Sequence, residues 1–152
     1  MKRFLTRLKL MLLVLLTICS CTELEEKSSI PDHEVYIKTF GNDYTTLRIA
    51  GNSISYIPSQ NSVYPTNFRF GFGGVLIYRD MEDKIHACDL ACPVEATRTI
   101  LVEVKMPFAT CPSCGSKFDL TFGFATPCEG PAKETLKIYH AKDHGGFIIA
   151  SY

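Results

Sequence analysis

Short apolar segments separated by turn residues recur along the chain from residue 34 to residue 151. They are rich in Val, Ile, Thr, Tyr and Phe, and most of them alternate apolar with polar positions or run apolar for a few residues. Both patterns are typical of short strands, and Asn, Gly, Pro or Asp separates the segments, so the sequence predicts an all-β domain. The predicted strands cover residues 34–39, 45–50, 53–58, 74–79, 84–87, 100–105, 135–140 and 146–151.

Short turns are predicted between most of these strands, with one longer loop. Gly51-Asn52 and Asp143-His144-Gly145 have the composition of hairpin turns. Residues 59–72 contain Pro65 and two Asn, which favours a loop that leads into an edge strand. Beyond the first twenty residues no segment has a sustained helical period. Residues 33–152 are therefore predicted to form one small β domain.

The first twenty residues have the pattern of a targeting signal. Four basic side chains precede the apolar run 10–18, which is too short to span a bilayer because a spanning helix needs about 20 residues. The segment Thr17-Ile18-Cys19-Ser20-Cys21 resembles the lipobox of bacterial lipoproteins, in which a cysteine after a small residue is lipid-modified. The resemblance implies a signal peptide over residues 1–20 and a lipid anchor at Cys21. The alternative is an ordinary cleaved signal or a short uncleaved anchor.

The residues after Cys21 are acidic and polar, which predicts a flexible tether over residues 21–32. They resemble the signals that some Bacteroidetes-type bacteria use to send lipoproteins to the cell surface. This implies a cell-envelope protein anchored at the outer membrane, facing either the periplasm or the exterior. Loss of the signal would leave twelve of the sixteen basic side chains against sixteen acidic ones, a formal charge of −4. A mildly acidic domain without a basic stripe excludes nucleic acid as the expected partner.

Two pairs of cysteines carry the chemistry that the sequence predicts. Cys88 and Cys92 are separated by three residues, Cys111 and Cys114 by two, and eighteen residues lie between the pairs. Thiolate is the preferred ligand of zinc and of iron–sulfur clusters, so four sulfurs on two loops, residues 86–93 and 110–117, predict one metal site. The Pro and Gly around the second pair favour a tight turn that aims both sulfurs at one point.

The second cysteine pair lies in a longer recognisable pattern. Residues 111–121 read Cys-Pro-Ser-Cys-Gly-Ser-Lys-Phe-Asp-Leu-Thr, followed by Gly123, then Gly130-Pro131-Ala132 and a strand with Tyr139. This resembles the second half of a Rieske domain, whose box reads Cys-Pro-x-His-Gly-Ser-x-Phe-Asp. Residues 87–92 are similar to its first box, Cys-x-His-x-x-Cys, but one residue shorter. The resemblance covers residues 72–152 and implies a small Rieske-like β-sandwich or barrel with a metal-binding subdomain.

The departures from the Rieske pattern change the implied ligand set. Rieske proteins hold a [2Fe–2S] cluster through one Cys and one His from each box. By the resemblance, Cys88 and Cys111 match the two cysteine ligands, and Cys114 stands at one histidine position. Leu90, which cannot ligate, stands at the other, so Cys92 is left as the fourth donor. The implied cofactor is an all-thiolate [2Fe–2S] cluster, and zinc is the alternative.

The histidines, the fifth cysteine and the aromatic side chains near these boxes are expected to have mainly structural roles. His86, His140 and His144 fit no ligand spacing and are expected to be ordinary strand or turn residues. Cys128 is expected to be a small buried residue, with a spare ligand as the alternative. The aromatic side chains around the second box are expected to form an apolar shell about the centre, and they are Phe108, Phe118, Phe122 and Phe124.

These features predict a lipid-anchored electron-transfer protein with an unknown redox or surface-protein partner, and not an enzyme with its own substrate site. The alternative is a binding or structural module with a four-cysteine zinc site. A thiol–disulfide role for Cys111 and Cys114 ranks lower, because such pairs sit at a helix N-terminus in a βαβ setting that this chain lacks. Two disulfides without any cofactor remain the plainest alternative for an exported chain.

Overall fold

The computed structural model describes residues 28–58 and 64–152, and these are built almost entirely of β-strands. One short helix, α1, spans Gly41–Leu47. The strands, in chain order, are β1 Val35–Thr39, β2 Ser53–Tyr56, β3 Arg69–Phe70, β4 Val75–Arg79, β5 Ile85–Asp89, β6 Glu103–Lys105, β7 Phe108–Thr110, β8 Lys117–Asp119, β9 Thr126–Glu129, β10 Ile138–Asp143 and β11 Ile148–Ser151. The all-β prediction is therefore confirmed.

Seven of the strands form one antiparallel sheet in the order β2-β4-β5-β10-β11-β1-β3. The register of β4 on β5 pairs Leu76 with Cys88, and β10 pairs Ile138 with the same cysteine. Strand β4 is buried along its whole length, as expected for a central strand with both faces covered. This main sheet fixes β5, whose end leads into the first cysteine loop.

The main sheet curls around a single apolar core. Side chains from β1, β2, β4, β5, β10 and β11 belong to the same buried cluster. Aromatic rings connect the two edges of the sheet: the ring of Tyr64 lies 6.1 Å from that of Tyr56 on β2 and 5.0 Å from that of Phe70 on β3. The sheet is therefore nearly closed into a barrel, which protects its edge strands.

A second, four-stranded antiparallel sheet has the order β6-β7-β8-β9. The connection from β5 to β6 contains Cys92, and the connection from β7 to β8 contains Cys111 and Cys114. A second apolar cluster joins this small sheet to the main one, because it includes Leu76 and Tyr78 of β4 together with Phe118 of β8. The predicted subdomain built on two cysteine loops is thus present as a distinct layer.

The chain just before β1 packs on the domain. Ile30 is buried, the backbone N–H of Ser29 donates to Glu134, and Lys137 pairs with Asp32. The last residues of the predicted tether, 28–32, are therefore part of the packed unit. Cys21, the predicted signal and the rest of the tether lie outside the described residues. Within the described ranges no helix is long and apolar enough to cross a membrane.

One predicted strand is wrong. Residues 45–50 were expected to be extended because of their Thr, Leu and Ile, but Thr45 and Thr46 lie in α1. Their hydroxyls donate to the carbonyls of Gly41 and Asn42 one turn earlier, which helical backbone allows. The helix buries only Leu47, so its sequence carries no apolar period that could have indicated it. Gly51 and Asn52 consequently connect α1 to β2 and do not form a hairpin turn.

Candidate metal centre

Three cysteine sulfurs lie together where the two loops meet. The Sγ atoms of Cys92, Cys111 and Cys114 are all within 4.8 Å of one another, and Cys92 Sγ is 3.7 Å from Cys114 Sγ. Zinc–thiolate bonds of about 2.3 Å in a tetrahedron put two ligating sulfurs about 3.8 Å apart. The geometry of this three-thiol group is therefore suited to a single soft metal ion.

The first loop is held in place by the end of β5. Asp89 accepts a hydrogen bond from the N–H of Ala91 at 2.7 Å. Ala91 also forms an isolated antiparallel β-bridge with Leu101, which lies just before β6. Cys92 then donates its own N–H to the carbonyl of Ile100. Because these bonds fix the backbone on both sides of the loop, the Cys92 thiol has a defined direction towards the second loop.

The second loop is a tight turn closed by its own backbone. The N–H of Cys111 donates to the carbonyl of Ser116 at 2.8 Å, and the N–H of Gly115 donates to the carbonyl of Cys111 at 3.0 Å. Gly115 has a φ of +72°, a conformation that costs glycine nothing. The hydroxyl of buried Ser116 accepts from the N–H of Ala132, which ties the loop to the Gly130–Ala132 segment.

The electrostatic surroundings of the Cys92 and Cys114 thiols differ. Burial raises the pKa of Cys92 to about 12, although N–H groups of Glu95 and Val94 hydrogen-bond its sulfur and act in the opposite direction. Burial also acts to raise the pKa of Cys114, but its hydrogen bonds with the hydroxyl and the N–H of Ser116 outweigh burial and lower that pKa. Cys114 therefore becomes a thiolate, the form that ligates metal, more readily than Cys92 does.

Cys88, the fourth predicted ligand, is not a member of the three-thiol group. It lies within β5, is fully buried, and belongs to the same apolar cluster as Cys92 and Cys111. Burial, with a further contribution from the charge of Asp89, raises its pKa. The structure therefore brings together three of the four cysteines that the sequence predicted and leaves Cys88 in the strand.

The remaining candidates lie away from the group. Cys128 is exposed on β9, with its thiol 3.3 Å from the carbonyl of Lys117, so the expectation that it is buried is wrong. His86 pairs with buried Asp80 at 2.7 Å. No histidine of the described residues joins the three-thiol group. The predicted aromatic shell forms only in part, because Phe118 is buried beside the cysteines whereas Phe122 and Phe124 are exposed.

A signal in the sequence could have identified the first loop correctly. Cys92-Pro93 repeats the Cys-Pro step of Cys111-Pro112. Aligning the two loops on this Cys-Pro step makes Cys92 equivalent to Cys111, and in the structure the sulfurs of these two residues lie in the same group. Aligning the first box on Cys88 instead made a residue of strand β5 one of the predicted ligands.

Comparisons with known proteins give structural matches alone. No protein-family model matches the chain, and no curated protein sequence matches it significantly. One similar solved structure is a complex of reduced oxygenase and oxidized ferredoxin in carbazole 1,9a-dioxygenase, with 13% identity, a TM-score of 0.47, and coverage of 77% of this chain and 93% of that chain. Another is a putative NADH-dependent nitrite reductase small subunit from Mycobacterium tuberculosis, with 17% identity, a TM-score of 0.43, and coverage of 78% and 96%. Matches this distant carry no conclusion about function.

Proposed function

We propose that this chain is a non-enzymatic metal-binding module of Rieske-like architecture, in which Cys92, Cys111 and Cys114 hold one metal ion, with zinc as the first choice. The observation that carries the proposal is the closeness of the three sulfurs, all within 4.8 Å of one another. Structural zinc sites have four protein ligands, three of which are thiolates in one of the usual donor sets, and here three thiols come from two short turns. In a small domain the free energy of binding such an ion adds to the free energy of folding.

The implied [2Fe–2S] cluster fits this arrangement poorly. In a Rieske cluster the two cysteines hold one iron and the two histidines hold the other, so the two pairs of donors are separated by the cluster core. Cys111 stands at a cysteine position and Cys114 at a histidine position, yet their sulfurs lie within 4.8 Å of each other. Only three thiols form the group, whereas a [2Fe–2S] cluster takes four protein ligands.

An electron-transfer iron–sulfur protein is the second candidate function, and the position of Cys88 favours it. Cys88 is buried in the same apolar cluster as Cys92 and Cys111, so a fourth thiol lies on the same side of the fold. Binding a cluster would require Cys88 to turn from its place between Leu76 and Ile138 and the three-thiol group to spread. The two candidates therefore differ in whether Cys88 is a ligand.

Metal analysis of protein purified anaerobically without residues 1–20 tests the proposal. We expect a colourless protein with one zinc per chain, and we expect Cys92→Ser, Cys111→Ser and Cys114→Ser each to lose most of it. Cys88→Ser should retain the metal, and Cys128→Ser is the matched control on the exposed strand. A brown protein with iron and acid-labile sulfide, in which Cys88→Ser loses colour, would establish the iron–sulfur alternative. A chain without bound metal under all conditions would reject both.

We further propose that the module is attached to the cell envelope through lipid on Cys21, with a protein partner at the outer membrane. The lipobox-like segment before Cys21 supports this. Stable anchoring needs more than one acyl chain, which lipoprotein modification supplies. The Cys21→Ser change should abolish labelling by a fatty-acid analogue and move the protein to the soluble fraction. Full membrane retention of that variant would instead indicate an uncleaved signal anchor.

A further inference from the structure

The two cysteine loops have the same local backbone structure. In the first, the N–H of Ala96 donates to the carbonyl of Cys92 at 2.8 Å; in the second, the N–H of Gly115 donates to the carbonyl of Cys111 at 3.0 Å. Both loops therefore close with a bond between positions i and i+4. Ala96 has a φ of +47° and Gly115 one of +72°, so the fifth residue of each loop is left-handed.

This likeness sets up a residue-by-residue correspondence between the loops. The first reads Cys-Pro-Val-Glu-Ala over residues 92–96, and the second reads Cys-Pro-Ser-Cys-Gly over residues 111–115. The first donor of each loop is a cysteine, Cys92 or Cys111. The position that supplies the second donor, Cys114, is occupied in the first loop by Glu95. The loop pair thus has four equivalent donor positions, three with thiols and one with a carboxyl group.

We propose that Glu95 is the fourth ligand, and that the centre is a mononuclear site of three sulfurs and one carboxylate oxygen, suited to zinc. This inference rests on the proposed function. Carboxylate oxygen is an accepted zinc ligand alongside thiolate. In the structure the Glu95 carboxylate is not a member of the three-thiol group, so ligation requires a rotation of its side chain. Glu95 is only partly buried, and its long side chain can make that rotation.

The backbone around Glu95 supports a role in ligation. Its N–H and that of Val94 hydrogen-bond the Cys92 sulfur, as amide groups do around a metal-bound thiolate. Ala96 holds a left-handed conformation that is unfavourable for a residue with a Cβ, and such strain persists where the surrounding structure requires it. Residue 95 is therefore held next to the Cys92 sulfur, which is one of the three thiols of the group.

Cobalt substitution and zinc competition on the chain without residues 1–20 test the proposal. Cobalt(II) is spectroscopically visible, and the intensity of its sulfur-to-metal charge-transfer band rises with the number of thiolates. We expect a tetrahedral spectrum with three thiolates for the wild type. Glu95→Cys should raise the charge-transfer intensity by about one third, since four donor positions then carry sulfur. Glu95→Gln should weaken zinc binding by roughly tenfold or more, at least the effect of losing a second-shell partner.

The control is Glu103→Gln, which removes a carboxylate from the exposed strand β6 near the same loops. It should leave the cobalt spectrum and the zinc affinity unchanged. Glu95 would be excluded as a ligand if Glu95→Gln bound zinc like the wild type while Cys111→Ser did not, or if Glu95→Cys left the charge-transfer intensity unaltered. The proposed function would survive either result. A wild-type chain that binds neither cobalt nor zinc would overturn both proposals.

Discussion

The main sheet and the cysteine loops satisfy their polar groups in different ways. In the main sheet, buried Asp89 accepts hydrogen bonds from the N–H groups of Phe72, Gly73 and Ala91 and from the hydroxyl of Tyr139. Every partner comes from the protein itself. In the loops, three thiols lie within 4.8 Å of one another, and no carboxylate or histidine of the described residues joins them. The first region is complete as folded, whereas the metal ion that we propose would complete the second.

Because of this difference, we expect the stability of the two regions to depend on metal to different extents. The main sheet has its own apolar core and needs no metal to bury it. The four-stranded sheet is made of strands of three or four residues, and its cysteine loops join the rest through one shared cluster. Short strands with little core of their own are marginal in water. We therefore expect metal to stabilise the small sheet far more than the main one.

The Asp89→Ala change should have the largest effect and should break the main sheet. It would leave three N–H groups, two of them buried, and the buried Tyr139 hydroxyl without an acceptor, at a cost of about 3–5 kcal/mol in the free energy of unfolding. Denaturant titration with chelator present measures this loss without any contribution from metal. The matched variant Tyr139→Phe removes a single one of these bonds and should cost about 1.5–3 kcal/mol. Equal losses for the two variants would show that the Asp89 network does not act as a unit.

Removal of metal should have the next largest effect, confined to the other region. A ligand present at one hundred times its dissociation constant stabilises the folded state by about 2.7 kcal/mol. Hydrogen exchange with and without chelator should show lost protection in β6, β7 and β8 and in both cysteine loops. Amides of β4 and β11 should keep theirs. A uniform loss of protection across both sheets would contradict the expectation that metal stabilises mainly the small sheet.

The sequence predicted the main sheet better than the small one, for a physical reason. Strands such as β4 and β11 carry runs of Val, Ile and Leu that reflect burial, and these were identified. Strands β7, β8 and β9 were missed because three or four residues are too few to establish a period. Their position comes from pairing with one another, which is tertiary information. The short helix α1 was missed because it buries only Leu47 and therefore has no apolar period.

For the site, the sequence predicted that cysteines of two loops lie together, and the structure brings three of the four named cysteines into one group. Thiol spacing could indicate this because it reflects loop geometry directly. Cys88 was included because its spacing to Cys92 resembles that of a ligand pair. Whether a cysteine lies in a strand or in a loop depends on where β5 ends, and strand ends are the least certain feature of a sequence-based prediction.

A smaller effect on stability is expected when alanine replaces either of two glycines, one in the second cysteine loop and one packed against it. A Cβ on Gly130 would lie 2.6 Å from the Cα of Ser116, and the residue has a φ of +86°. A Cβ on Gly115 would meet nothing within 4 Å, so that residue bears only the cost of its φ of +72°. Gly115→Ala should therefore lower stability by about 1–2 kcal/mol, and Gly130→Ala by more, because it adds the clash. Thermal unfolding of the metal-loaded proteins measures both.

The smallest effect concerns acid sensitivity of the main sheet. Burial acts to raise the pKa of Asp143, but hydrogen bonds from the N–H of Gly145 and from Arg79, 2.6 Å away, hold it below its usual 3.8. A depressed pKa gives stability that is present above 3.8 and is lost as pH falls through the folded-state value. Asp143→Asn should cost about 1 kcal/mol at neutral pH, and the difference should shrink on acidification.

Asp83→Asn is the matched control for that measurement, since Asp83 pairs with the same arginine at 3.5 Å but is largely exposed. It should change the denaturant midpoint little at any pH. If the Asp143→Asn difference stayed constant from neutral to acid pH, the pairing with Arg79 would not be the source of the stability.

X-ray absorption at the metal edge of the purified protein tests the central claim most directly, because it counts ligand types and detects a second metal. The structure predicts a single ion with three sulfurs at about 2.3 Å, a lighter ligand at about 2.0–2.2 Å, and no metal–metal scattering. Removal of Cys88 as Cys88→Ser should leave this spectrum unchanged. Four sulfurs with a clear metal–metal contribution, lost in Cys88→Ser, would contradict the claim and establish a cluster held by all four cysteines.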